Sequence, residues 1–265
     1  MTVAQEKLLK DKVAIITGAS EGLGFEIAKQ FTLEGASLFI CSRNEKKLGL
    51  AELKLKELMD ESQSITSMIV DVSENTQCEE FVNLAINRHQ KIDILVNNVG
   101  GGGRWGKEEP LDTNPEVWGE VYQKNAGASV QFTMKSLPYM LQNKWGRVIT
   151  ITSTYGLQGG GRPWFNMAKA AQTALMKNLA IKKPYVRSGI TFNSVAPGSI
   201  SIPETGWEIE QKKDPEAFAK LLDENWPMGR MGTPEEVANV VVFLCSLKSS
   251  LVNGASILVY GGETP

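Results

Sequence analysis

Residues 13–31 read VAIITGASEGLGFEIAKQF. A short apolar run gives way to Gly18, Gly22 and Gly24, and then to a stretch whose apolar residues recur at helical spacing. Strand, tight turn and helix in this order make a phosphate cradle. The glycines let the backbone turn sharply and approach a pyrophosphate, and the helix start offers N–H groups that no preceding turn has used. The spacing is G-x-x-x-G-x-G, which differs from the common G-x-G-x-x-G, and Ser20 and Leu23 complete the candidate set. A tight βα turn that binds nothing is the structural alternative.

The same rhythm continues along the chain. Apolar or β-branched runs occur at 12–18 (KVAIITG), 37–43 (SLFICSR), 67–73 (SMIVDVS), 92–98 (IDILVNN), 146–153 (GRVITITS), 189–198 (GITFNSVAPG) and 255–262 (ASILVYGG). Amphipathic stretches at 23–34, 45–59, 76–88, 115–141, 164–182 and 234–246 lie between them. Strands buried on both faces read as continuous apolar runs, so the pattern predicts an α/β fold: a parallel sheet with helices on both faces and right-handed crossovers. Nothing resembling a linker divides the chain, and 1–265 reads as a single domain. The segment 199–232, rich in Pro, Gly, Trp and Glu without clean periodicity, reads as an insertion between the sixth and seventh strands, suited to a mobile substrate lid. In TPEE at 233–236, Thr233, Pro234 and Glu236 spell a capped helix start.

With 28 basic and 30 acidic residues in 265, the net charge is −2, which gives no electrostatic footprint for nucleic acid or an anionic membrane. The opening MTVAQEKLLKDK is polar and no run of about 18 apolar residues occurs, so the expectation is a cytoplasmic protein with a small-molecule ligand. Cys41, Cys78 and Cys245 are far apart without CxxC spacing, which predicts buried thiols and no metal site. His89 stands alone and reads as a solvated helix end, so acid/base work falls to Lys, Tyr, Asp or Glu.

TGASEGLG at 17–24, NNVG at 97–100, PG at 197–198 and YGG at 260–262 resemble, in order, the TGxxxGxG turn, NNAG, strand-six PG and closing DGG of the classical short-chain dehydrogenase/reductase family. The resemblance covers about residues 10–262. Residues 226–246 are similar to 3-oxoacyl-thioester and to sugar or steroid reductases of that family. It implies a single-domain Rossmann fold with a seven-stranded parallel sheet and an NAD(P)-dependent oxidoreductase that interconverts a ketone and a secondary alcohol by hydride transfer.

Ser42 and Arg43 stand at the end of the second strand, where an acidic residue would meet the free ribose hydroxyl of NAD; an arginine there pairs with a 2′-phosphate instead. This favours NADP(H) over NAD(H), although Glu21 inside the turn argues the other way. By resemblance, Asp71 and Val72 hold the adenine, Asn98 and Gly100 line the adenosine ribose, and Pro197, Gly198 and Ile200 meet the nicotinamide amide. Arg104 and Trp105 follow a run of glycines and read either as substrate contacts or as a flexible loop.

The family's catalytic group is Asn, Ser, Tyr and Lys. Asn125, Ser153 and Lys169 match three of these, and the tyrosine position is Phe165. A lysine cation lowers the pKa of a neighbouring phenol so that it exchanges a proton near neutral pH. Phenylalanine keeps the ring and loses the proton. Three accounts stay open: a silencing replacement in a working reductase, a natural Phe with another donor such as Tyr155, or a nicotinamide-nucleotide binder without turnover that serves as a sensor or assembly partner. Trp207 and Trp226 with Glu204, Glu208 and Glu210 suit a polyhydroxylated or cyclic substrate, or equally a helical lid with a solvated acidic face. The resemblance also implies a homotetramer.

Overall fold

The computed structural model describes residues 6–203 and 206–263. Seven strands, β1 (Val13–Thr17), β2 (Ser37–Ser42), β3 (Ile65–Ile69), β4 (Ile94–Asn97), β5 (Gly146–Ile151), β6 (Ile190–Pro197) and β7 (Ser256–Val259), form one parallel sheet in the order β3-β2-β1-β4-β5-β6-β7. The helices are α1 (Gly22–Leu33), α2 (Glu45–Lys56), α3 (Asn75–His89), α4 (Glu116–Tyr122), α5 (Ala128–Asn143), α6 (Pro163–Leu179), α7 (Lys183–Val186), α8 (Gly206–Lys213), α9 (Pro215–Asn225) and α10 (Pro234–Cys245).

The pleat explains why the strands read as unbroken apolar runs. Ala14 and Ile16 of β1 enter one layer with Ile27, Phe31, Val237 and Val241, whereas Val13 and Ile15 enter the opposite layer with Phe39, Phe81 and Leu95. Both faces are covered, so a polar side chain on β1 needs hydrogen-bond partners, as Thr17 at its end finds in Val96 O and the Asn98 and Val99 N–H groups. The chain runs outward from β1 to β3 and then returns to lay β4 on the other side of β1. This reversal opens a crevice at the carboxyl ends of β1 and β4, where the turns that follow the strands converge.

Four expectations need correction. The third strand ends at Ile69 and starts at Ile65, earlier than the 67–73 run suggested, because its sole neighbour β2 ends at Ser42 and offers no further ladder. Residues 70–73 therefore leave the sheet and become a turn. The helix expected over 115–141 is broken by a π-helical turn at Gln123–Gly127, between α4 and α5. His89 ends α3 but is not simply solvated: Nε2 hydrogen-bonds Ser64 Oγ at 2.9 Å and the ring stands edge-on to Phe39. Segment 199–232 carries α8 and α9, two short helices meeting at Asp214, which caps α9 by accepting from Ala217 N at 3.0 Å. The break at Asp214 hides the period of each helix. Phe218, Trp226 and Met231 form the small buried core of this segment, which removes Trp226 from the candidate substrate contacts; Glu204 lies outside the described residues.

The capped helix start and the buried thiols are found as read. Thr233 and Glu236 exchange both bonds of a capping box at α10, and Arg230 grips the Glu236 carboxylate, holding its pKa down at about 2. All three cysteines are buried and unbridged. Among the described residues no helix is long and apolar enough to cross a membrane and no His/Cys/Asp/Glu cluster could hold a metal.

Candidate active site

The glycine turn sits at the mouth of the crevice. Gly18 has φ +69°, and an added Cβ on Gly24 would run into the Gly18 carbonyl oxygen and Asn98 Nδ2. Asn98 fastens this junction by donating from Nδ2 to Thr17 O at 2.9 Å and to Gly18 O at 3.1 Å. Thr17 Oγ1 in turn accepts from the backbone N–H groups of Asn98 and Val99. Asn98 therefore welds β1 to β4. No side chain caps α1, so its first-turn N–H groups remain available to an anion.

Beside the turn a cavity of about 270 Å³ is lined by Gly18, Ser20, Ser42, Arg43, Asp71, Val72, Asn98, Gly100 and Lys124. It gathers candidate residues from four βα turns. Asp71 is held below the usual carboxylate range mainly by the N–H of Ser73, which donates to Oδ1 at 2.9 Å. Sequence reasoning missed Lys124. Burial first, and then the Arg43 charge, lower its pKa, and its ammonium lies over the Trp105 ring at 4.6 Å. Trp105 thus stacks on a residue that lines this cavity. Glu21, the residue that argued against a 2′-phosphate, is engaged by Lys47 of α2 at 2.5 Å. Leu23 packs partly buried against the core beneath the turn.

Around the corner, the π turn delivers Asn125. Its Nδ2 donates to Gly101 O and Val121 O, both at 2.8 Å, while Oδ1 accepts from Gly101 N at 3.2 Å. A lone π turn rotates one helical face relative to the next, and here it aims this amide at the loop after β4. Lys169 on α6 is buried, and Nζ donates to Ile151 O at 3.0 Å, near Gly100, and lies 5.5 Å from the centre of the Phe165 ring. Burial without an anionic partner lowers its pKa to about 7. Ser153 follows β5, its Oγ accepting from Tyr155 N at 3.2 Å. Phe165 packs with Val121, Trp164 and Ala168, and Trp164 Nε1 donates to Gly102 O at 3.3 Å, tying the glycine-rich loop to α6.

A second cavity, about 330 Å³, is bounded by Ser153, Tyr155, Phe165, Gly198, Ile200, Arg104, Arg162, Trp207 and Glu263. Arg104 reaches segment 199–232, pairing with Glu210 at 3.0 Å and stacking over Trp207. Tyr155 stands over Gly160 and Gly161, and burial, then the Glu263 charge, raise its pKa. Its surroundings oppose ionisation, the reverse of what a phenol beside a lysine experiences. Gly198 follows Pro197 at the end of β6, and Ile200 bridges to Gly232. The structure thus brings Asn125, Ser153, Phe165, Lys169 and Tyr155 to one end of the crevice and the adenosine-side candidates to the other. Glu263 carries no motif and had no signal in the sequence.

Residues 18–264 match the family model described as enoyl-(acyl carrier protein) reductase. Dehydrogenase/reductase SDR family member 4 of Oryctolagus cuniculus is 32% identical over 263 residues, covering 98% of this chain and 96% of the relative. Among solved structures, L-sorbose reductase from Gluconobacter frateurii, in complex with NADPH and L-sorbose, is similar with a TM-score of 0.88 and 29% identity, covering 98% of both chains. A 7α-hydroxysteroid dehydrogenase complexed with NADH and 7-oxo glycochenodeoxycholic acid is similar with a TM-score of 0.85 and 28% identity, again over 98% of both. From the ordered motifs, the sheet topology and these matches, this chain belongs to the classical short-chain dehydrogenase/reductase family.

Proposed function

We propose that this chain binds NADP(H), in preference to NAD(H), and interconverts a ketone and a secondary alcohol, with turnover held back by Phe165. The observation that carries this reading is that Ser153 and Phe165 border one 330 Å³ cavity, with Lys169 Nζ 5.5 Å from the centre of the Phe165 ring and Asn125 Oδ1 and Lys169 Nζ both beside Gly100. A nicotinamide nucleotide lying along the crevice supplies the hydride. The fit is supported by the uncapped start of α1 for a pyrophosphate, by the 270 Å³ cavity for the adenosine half, and by Gly100 beside Lys169. Ser42 and Arg43 meet the 2′-phosphate, with Glu21 drawn onto Lys47. Asp71 and Val72 border the adenine, Asn98 and Gly100 the ribose, and Lys169 holds the nicotinamide ribose, while Pro197, Gly198 and Ile200 receive its amide.

On the substrate side Ser153 Oγ donates to the carbonyl oxygen as negative charge grows there. The proton that oxygen needs has no donor at Phe165, and the loss of a positioned acid costs about 10²–10⁴ in rate. Tyr155 lines the same cavity, but its raised pKa makes it a weak replacement acid. That same observation favours the second reading, a nucleotide binder with little turnover. The segment 199–232 acts as the lid, through Trp207 and the Arg104–Glu210 pair. Unbridged buried thiols suit a reducing cytoplasm. Exposed apolar residues Val130 and Met134 on α5, Met167 on α6 and Leu258 on the edge strand β7 suit a homotetramer. Oxidation of NADPH and NADH by a ketone panel, measured for this chain and for Phe165→Tyr, tests the assignment.

A further inference from the structure

The segment after β7 folds back across the Pro197–Gly198 turn and brings a carboxylate into the substrate cavity. Glu263 Oε2 accepts from Ser199 N at 2.6 Å and Oε1 accepts from Ser199 Oγ at 2.7 Å. Gly198 leaves room for this approach, since a Cβ there would meet Glu263 Oε2 and lie 2.7 Å from Tyr260 Cβ. The seat is therefore built, with Ser199 holding both oxygens and the missing Cβ admitting them. A carboxylate has about four acceptor positions, and Ser199 occupies two. Among the described residues no cation forms a salt bridge with Glu263; of the two arginines that line the cavity, Arg104 is paired with Glu210 and stacked over Trp207, and Arg162 makes no ion pair with Glu263. Glu263 lines the same cavity as Ser153, Phe165 and Tyr155. The raised pKa of Tyr155 is a second sign that this charge faces inward.

We propose that Glu263 is a specificity-determining residue that accepts hydrogen bonds from substrate hydroxyl groups, so that the cavity selects polyhydroxylated ketones and their polyols over plain aliphatic ones. The inference rests on the oxidoreductase reading of this cavity and names its substrate class. A hydroxyl donating to an ionised carboxylate makes a charge-assisted bond, and a ligand without that hydroxyl leaves the carboxylate dehydrated and unpaired. Discrimination on the order of ten- to a hundredfold follows. A substrate carrying its own carboxylate or phosphate at this end is repelled.

The test uses the whole protein saturated with NADPH, which forms an unreactive ternary complex with alcohols. Calorimetry compares D-glucitol with 2-hexanol, which share six carbons and differ in hydroxyls, for the unaltered chain, Glu263→Gln and Glu263→Ala. The expected result is a preference for glucitol of about tenfold or more, reduced in Glu263→Gln and abolished in Glu263→Ala, with NADPH affinity unchanged. An unchanged preference in Glu263→Ala overturns the proposal. So does an equal loss of affinity for both alcohols together with NADPH, which would leave Glu263 a purely structural anchor of Ser199. NADPH that fails to bind the unaltered chain overturns the oxidoreductase reading and the selectivity with it, whereas NADPH binding without alcohol selectivity overturns the selectivity alone.

Discussion

Restoring one oxygen atom at Phe165 is the sharpest perturbation the site offers. In Phe165→Tyr the ring keeps its packing against Val121 and Trp164 and the hydroxyl enters the cavity that the ring already borders. Lys169 Nζ lies 5.5 Å from the ring centre. A charge pair about 5 Å apart at an effective dielectric near 20 interacts by roughly 3 kcal/mol, on the order of two pKa units, which brings a phenol from near 10 toward about 8. The same attraction favours the charged lysine and opposes the burial that now depresses it to about 7. A proton donor tuned in this way contributes about 10²–10⁴ in rate, or roughly 3–5 kcal/mol of barrier. Single-turnover oxidation of NADPH by a ketone, followed as a function of pH, measures it: kcat rises by that factor in Phe165→Tyr, and the cofactor Kd moves little because Lys169 is retained. Equal rates in the two proteins would refute the reasoning and turn attention to Tyr155.

Other outcomes follow from the same geometry. Arg43→Glu, made in the Phe165→Tyr background, should raise the KM for NADPH at least about tenfold more than that for NADH, since a charge-assisted bond to the 2′-phosphate is replaced by repulsion; parallel changes would argue that Arg43 is only a solvated charge. Lys169 is lowered to about 7 in the folded chain, so between that pH and the ordinary lysine range the unfolded chain holds a proton that the folded one has released. Stability of the nucleotide-free protein should therefore rise with pH across this window, and Lys169→Met should flatten the slope in urea titrations; identical slopes would contradict the buried-amine account. Light scattering at micromolar concentration should give a tetramer, and a monomer would sink that assignment.

The chain's local chemistry was enough to foretell its layers. Unbroken apolar runs such as VAIIT and SLFIC demand cover on both faces, and the glycines at 18, 22 and 24 made the first βα turn legible, because these constraints act between neighbours in sequence. Asn125, Ser153 and Lys169 were readable for a different reason: they sit in motifs that resemble a family. The break in the 115–141 helix was not readable, since a π turn depends on where Asn125 finds Gly101 and Val121 as partners. Nor were Lys124 and Glu263. Lys124 becomes a cavity wall only when the π turn is folded against the turns after β2 and β3, and Glu263 meets Ser199 across 64 residues of chain. Periodicity and turn chemistry are local and survive in the sequence, whereas a cavity, its charges and the depressed pKa of Lys169 arise from burial among groups that only the tertiary fold brings together.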